Sequence, residues 1–202
     1  MIYINGFFKR KHKTSDSLAG ANEATRCEFV SSVIHGVVHC YEGKVKVYPQ
    51  YEISGSHGKG PVDWAIKFGN TIIAVTEAKR ENLDQGVRQN VIQLQASTQC
   101  NPRKRKFDSA LQEDTMFGII TTGVYWIIIK VVSNGTDEDS SSDKNNVQVF
   151  LSSRLTLRLP IDEEKLQQEL LEERLEELFG QLVWIFDQQL ESQSESKRRR
   201  TL

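Results

Sequence analysis

Apolar residues along the chain change their spacing several times, and each change predicts a new element of secondary structure. From Asn22 to about Val38 they recur every three or four residues, which predicts a helix with Asn22 as its N-cap. Alternation predicts a strand over 44–54, a second strand from Pro61, and a third strand that contains the apolar run IIAV. Helical spacing then returns over 84–97. The first half of the chain therefore predicts a helix, three strands and a helix.

The second half of the chain predicts three more strands and a long helix. Apolar strands are predicted over 116–123 and 124–133, and a Ser-, Asp- and Asn-rich segment over 134–146 predicts a disordered loop. A strand returns over 147–159, and leucines at helical spacing predict one long helix over 162–189. The apolar side of that helix either packs on the sheet or forms a surface for a dimer or a partner protein.

Length and composition suit a single globular domain with polar appendages. The chain has 202 residues, of which 38% are hydrophobic. We expect a flexible basic arm over 1–20, an α/β domain over 21–160, the C-terminal helix over 161–191 and a basic tail over 192–202. No apolar run reaches the roughly 18 residues that a membrane span needs, so we expect no membrane association. The chain start lacks the order of a secretory signal.

Charge is nearly balanced overall but clustered locally. The net charge is −1, yet basic residues gather in three short runs, Lys9–Lys13, Arg103–Lys106 and Lys197–Arg200. The last two runs fit nuclear-import signals, and an ordinary solvated loop or tail would have the same composition. The three cysteines have no paired spacing, which indicates a reducing compartment without a disulfide framework.

Two carboxylates and an amine meet around the second and third strands. Strand alternation puts Glu77 and Lys79 on one face, and both follow a buried run where charge is costly unless it is compensated. A two-residue turn at 69–70 would pair Asp63 with Thr76 and direct it away from Glu77. An odd-numbered loop or a β-bulge would set Asp63 opposite Glu77. Such a cluster can hold a divalent metal, whereas each residue alone would be an ordinary surface charge.

The neighbouring helices offer further candidates. The helix over 84–97 carries a row of glutamines, of which Gln89 and then Gln93 are best placed to serve the carboxylates, phosphate oxygens or a base. Glu28, on the preceding helix, either lies on a solvated face or reaches the metal cluster. Lys59 lies in GSHGKG. This segment is not a P-loop, because Lys59 is followed by Gly60, Pro61 and a strand, whereas a P-loop lysine is followed by Ser or Thr and a helix. We expect a loop there whose lysine touches a substrate.

These motifs resemble the PD-(D/E)XK nuclease superfamily. Glu77-Ala78-Lys79 matches E-x-K, and Asp63 precedes it in the expected order, although Val62 stands where the family has Pro. The resemblance covers roughly residues 22–132. The fuller pattern, GKGPVDWAI followed by VTEAKRENLDQGVRQNVIQLQAS and FGIITTGVYWIII, is similar to the nuclease-like domains of Crinkler-type effectors.

The resemblance implies an α/β, restriction-endonuclease-like αβββαβ core, in which helices flank a mixed sheet, with the long C-terminal helix added. It implies that Asp63, Glu77 and the carbonyl of Ala78 hold Mg²⁺ or Mn²⁺, and that Lys79 orients the attacking water. Gln89 and Glu28 would complete the catalytic set. Contacts to nucleic acid would come from six side chains, Lys59, Arg80, Arg88, Gln93, Arg103 and Lys104.

The function implied is metal-dependent hydrolysis of nucleic acid, with DNA favoured over RNA, by an effector that enters a nucleus. The alternative is a catalytically weak module of the same fold that binds nucleic acid or a partner protein. The missing proline before Asp63 and the near-neutral charge keep that alternative open.

Overall fold

The computed structural model describes residues 2–15, 18, 20–55, 58–78, 83–101, 114–133, 147–152, 158–161 and 167–198. Within them lie four helices, α1 Ile2–Thr14, α2 Glu23–His39, α3 Leu83–Cys100 and α4 Gln168–Arg198. The strands are β1 Val45–Gly55, β2 Gly58–Phe68, β3 Thr71–Ala78, β4 Asp114–Thr121, β5 Trp126–Ser133 and β6 Val147–Leu151. The chain is thus a mixed α/β protein.

The six strands form one mixed sheet in the order of the sequence. The strands β1, β2 and β3 are antiparallel neighbours, β3 and β4 are parallel, and β4, β5 and β6 are again antiparallel. Since parallel strands need a crossover connection, the helix α3 links β3 to β4. The carboxyl end of β3 and the start of α3 therefore lie at the same end of the sheet.

Each face of the sheet buries its own hydrophobic core. On one face, α1, α2 and α4 pack on sheet residues that include Trp64 and Ile66. On the other face, α3 packs on residues that include Ala65 and Val75. The alternation of Trp64, Ala65 and Ile66 between the cores follows from the two-residue period of a strand. Burial on both faces explains why β3 is almost continuously apolar.

The long C-terminal helix packs on the sheet, as one of the two sequence interpretations proposed. Leucines along one side of α4 are fully buried in the first core, among them Leu171, Leu175 and Leu182. The helix continues to Arg198, into the segment predicted as a basic tail, because Gln, Glu, Ser and Lys extend a helix at little cost. Within the described residues, no helix is both long and apolar enough to cross a membrane.

The N-terminal segment differs from the sequence prediction. A flexible arm was expected over 1–20, but Ile2–Thr14 form α1. Phe8 is only 1% exposed and its ring centroid lies 5.3 Å from that of Phe29 on α2. Burying an aromatic side chain supplies enough hydrophobic free energy to dock a short helix. The basic cluster that follows Phe8 made this segment resemble a polar arm in the sequence. The predicted loop over 134–146 lies outside the described residues.

The start of α2 is tied to the end of β4. Asn22 caps the helix as predicted, since its Oδ1 accepts a hydrogen bond from the Thr25 amide at 2.9 Å. The buried Arg26 donates to the Thr122 carbonyl at 2.8 Å. These contacts hold the first turns of α2 near the end of the sheet where β3 and β4 finish.

The helix α3 approaches the sheet most closely above β4 at Gly118. A Cβ atom at that position would lie 1.8 Å from Oδ1 of Asn90 and 2.8 Å from Cδ1 of Leu94. Only glycine leaves room for this approach. Asn90 is fully buried, and in the part of the chain that the structure describes neither polar atom of its side chain has a hydrogen-bond partner. The glycine at 118 therefore permits the close approach of α3 to β4.

Candidate metal and nucleic-acid site

A β-bulge in β3 decides the register of the site. The turn at Gly69 and Asn70 has two residues, because Phe68 pairs with Thr71. Ile66 pairs with Ala74 while Lys67 pairs with Ile72, so Ile73 is an extra residue on β3. Trp64 consequently pairs with Thr76, and the same register places Asp63 opposite Glu77. This confirms one of the two sequence alternatives, the correction of the register by a bulge.

Asp63 lies where β2 and β3 separate. One carboxylate oxygen accepts a hydrogen bond from the Ala78 amide at 2.8 Å, and the other accepts one from Gln50 Nε2 at 3.2 Å. The Asp63 carboxylate thus replaces a backbone carbonyl of β2 as the acceptor for the Ala78 amide. Asp63 is thereby fixed beside the main chain of Ala78, one residue from Glu77.

Glu77 is buried beneath two glutamines of α3. It is 2% exposed, and its Oε1 accepts hydrogen bonds from Gln93 and, at 3.4 Å, from Gln89. Both amides were chosen from the sequence as partners of the carboxylates. They orient Glu77 without adding positive charge.

The oxygen donors at this place suit a hard divalent cation. The carboxylates of Asp63 and Glu77 and the carbonyl of Ala78 belong to neighbouring positions of two strands. Oxygen ligands are those that Mg²⁺ prefers, and Mg²⁺ commonly keeps several waters beside one or two carboxylates. No group of three His, Cys, Asp or Glu side chains in the described part of the chain could hold a metal. A metal here would thus use two carboxylates.

Two catalytic candidates remain, Lys79 and Glu28. Lys79 lies outside the described residues, so its place beside Glu77 stays a prediction from strand alternation. Glu28 is on α2, where its side chain is 55% exposed and forms an ion pair with Lys11 of α1. No contact of Glu28 with Asp63 or Glu77 is found among the described side chains.

A second acidic residue of α2 shares the surroundings of Asp63. Burial, then the charge of Asp63, then that of Glu23 raise the pKa of the Cys27 thiol to about 11. The carboxylates of Asp63 and Glu23 therefore both act on one thiol of α2. Glu23 was not among the sequence candidates, although its place four residues before Cys27 puts both on one helix face.

Of the six candidate nucleic-acid contacts, three lie on β2 and α3 and three lie outside the described residues. Lys59 on β2 and Arg88 on α3 are exposed. Lys59, Gln89 and Gln93 line one groove between the β1–β2 hairpin and α3. Arg80, Arg103 and Lys104 lie outside the described residues.

Besides Glu23, two side chains near the site were missed by the sequence reasoning. Gln50 holds Asp63 from β1, where the register places it directly across from Asp63. Its backbone φ is 47°, a conformation that a strand pattern does not reveal. Asn90 is adjacent to Gln89 but faces the sheet. Its buried polar group at an apolar helix position was the signal that could have marked it.

Comparison with known proteins gives two relatives of one kind. The chain is 29% identical over 171 residues to Crinkler effector protein 1 of Rhizophagus irregularis, covering 82% of this chain and 33% of that protein. It is 27% identical over 79 residues to Crinkler effector protein 5 of Phytophthora infestans, covering 38% of this chain and 23% of that protein. The chain is therefore similar to Crinkler effector proteins, and it spans a third or less of the length of the two relatives, 33% of one and 23% of the other.

No protein-family model matches the chain. No solved structure matches it either.

Proposed function

We propose that this chain is a metal-dependent nuclease domain of an effector protein, acting on DNA in preference to RNA. The observation that carries the proposal is the bulge at Ile73, which sets Asp63 opposite Glu77 at the end of β3. The element order α2-β1-β2-β3-α3-β4 is the αβββαβ order of PD-(D/E)XK nucleases, which supports the same assignment. The similarity to Crinkler effector proteins supports the effector role.

Asp63, Glu77 and the Ala78 carbonyl would hold Mg²⁺ or Mn²⁺. When bound, the metal supplies a polarised phosphoryl oxygen and a bound water of lowered pKa. Gln89 and Gln93 keep the Glu77 carboxylate oriented, and the Ala78 amide does the same for Asp63. Lys79 would orient the attacking water and offset the negative charge that develops on the phosphoryl group.

Exposed basic side chains would position the nucleic-acid backbone. Lys59 lies on β2 and Arg88 lies on α3, the helix that also carries the glutamines, and Arg80, Arg103 and Lys104 would add to them. Contacts of this kind carry salt-dependent affinity and little sequence preference. The basic runs at 103–106 and 197–200 would direct the protein to a nucleus.

The test is plasmid cleavage by the purified chain with Mg²⁺ or Mn²⁺. Wild type should nick or degrade the plasmid, and Asp63→Ala, Glu77→Gln and Lys79→Ala should each lower the rate at least about 100-fold. Glu52→Gln is the matched control, since Glu52 is an exposed carboxylate of β1. Thermal melting should show that all four variants are folded.

Three other results would contradict the proposal. Equal cleavage by wild type and by the three site variants would indicate a contaminating nuclease. Cleavage that persists in EDTA would remove the metal from the mechanism. Binding of DNA without any cleavage would favour the alternative, a binding module of the same fold.

A further inference from the structure

A groove lies between the β1–β2 hairpin and α3, and its lining includes Gln89 and Gln93, the two glutamines that contact Glu77. It encloses about 360 Å³, within the range of roughly 300–1,000 Å³ that small-molecule sites occupy. Its sides are mainly apolar and come from Ile53 and Pro61 on the hairpin and from Ile92 and Ala96 on α3. Two facing apolar sides are the surroundings that a flat ring prefers.

The polar groups of the groove belong to Gln93, Gln89 and Lys59. Gln93 donates its amide N–H to Glu77, while its Oε1 is buried and has no hydrogen-bond partner among the described residues. A buried acceptor without a donor costs about 1–3 kcal/mol, so a small turn of the Gln93 amide toward an N–H donor in the groove would recover that cost. Gln89 also contacts Glu77, so an occupant of the groove would touch the same two glutamines that hold the Glu77 carboxylate. Lys59 is exposed and adds a positive charge to the hairpin side of the groove.

An occupant that matches all of these features has a flat apolar body, N–H donors on its edge and a negative charge outside. We propose that the groove binds one unpaired nucleobase of the strand being cleaved, with the adjoining phosphate near Lys59 and the carboxylates. This inference rests on the proposed function and specifies its substrate class as single-stranded or locally unpaired nucleic acid. A paired base is stacked on both faces, and extruding it costs a few kcal/mol.

The test measures binding in Ca²⁺, so that cleavage does not interfere. Fluorescence anisotropy compares three labelled DNA probes of about 12 nucleotides: a single strand, the same strand with abasic sites at its centre, and the duplex. The groove variant is Ile92→Gln, because Ile92 is 44% exposed and its replacement leaves the core intact. The matched control is Val149→Gln on β6, where the side chain is 42% exposed.

The single strand should bind wild type roughly tenfold more tightly than the abasic strand does, which is within the range of base stacking. Ile92→Gln should weaken binding of the single strand by roughly fivefold, at the low end of the same range. It should leave the abasic strand unchanged, and Val149→Gln should match wild type on both. The duplex should bind more weakly than the single strand.

Equal affinity of wild type for the normal and abasic strands would overturn the inference without the use of any variant. The inference would also be overturned if Ile92→Gln bound the probes with the same affinities as Val149→Gln. A higher affinity of wild type for the duplex than for the single strand would overturn it as well. These failures are distinct from failure of the proposed nuclease, because cleavage that depends on Asp63 and Glu77 is measured separately. Base-dependent binding without any cleavage would support the groove and refute the nuclease.

Discussion

Replacing Gly118 with alanine tests how closely α3 must approach the sheet. The new Cβ would lie 1.8 Å from Asn90 Oδ1, 2.9 Å from Asn90 Cγ and 2.8 Å from Leu94 Cδ1. Real Cβ atoms essentially never come within 3.0 Å of such neighbours. Since Asn90 and Leu94 are both fully buried, their side chains have little room to turn away. We therefore expect α3 to move outward.

Overpacking of a core usually costs about 1–3 kcal/mol, and we expect Gly118→Ala near the upper end because three contacts are violated. For a chain of this length that corresponds to a fall in Tm of roughly 6–12 °C, at about 2–4 °C per kcal/mol. Thermal and urea unfolding measure it. Because Gln89 and Gln93 move with α3, cleavage should fall as well.

Two further variants control this experiment. Gly180→Ala makes the same change in α4 at a site with no atom within 4 Å, so it should raise stability by about 0.5–1 kcal/mol. Asn90→Ala combined with Gly118→Ala removes the nearest contact and should recover much of the loss. The reasoning would be refuted if Gly118→Ala unfolded at the same temperature and urea midpoints as wild type. It would also be refuted if the loss of stability in the double variant equalled the sum of the two single losses.

Three other results are expected. Phe8→Ala should lower the free energy of unfolding by about 3–5 kcal/mol in urea, because Phe8 is 1% exposed; a loss below about 1 kcal/mol would mean that α1 does not dock. Burial and then the hydrogen bond to Asp187 raise the pKa of Tyr41. The stability from Tyr41 is complete below about pH 10, the usual tyrosine pKa, and is lost as pH rises toward the folded-state pKa. Tyr41→Phe should weaken the alkaline dependence of the urea midpoint, and an unchanged dependence would contradict this. At pH 8, iodoacetamide should modify Cys27 more slowly than the two exposed cysteines, as peptide mass spectrometry would show, since the pKa of Cys27 is raised to about 11; equal rates would contradict this.

Much of the fold follows from local patterns. The N-cap Asn22, the apolar side of α4 and the near-continuous apolar β3 all have the expected roles, because each depends on neighbours in sequence. The helix α1 was missed since its stability comes from Phe8 docking on Phe29, a contact between segments. The strand β6 ends at Leu151, whereas a strand over 147–159 was expected.

The site was less predictable than the fold. The alternation of side chains along a strand showed that Asp63 and Glu77 can face each other only with an odd-numbered loop or a bulge. No residue near Ile73 marks the bulge in the sequence, however. Gln50 could not be assigned to Asp63, because the register of β1 against β2 depends on the whole hairpin. Gln93 was found because the spacing of a helix is regular enough to place an amide one turn beyond Gln89.

The extra residue at Ile73 affects how related sequences should be aligned. In a chain that lacks the bulge, the acidic residue of β2 and the acidic residue of β3 face each other only if their spacing is shorter by one residue. A search that fixes the interval between them would overlook such chains. Conversely, deleting residue 73 here should leave Asp63 opposite Glu77, because the deletion removes the bulge and shortens the spacing by one residue at the same time.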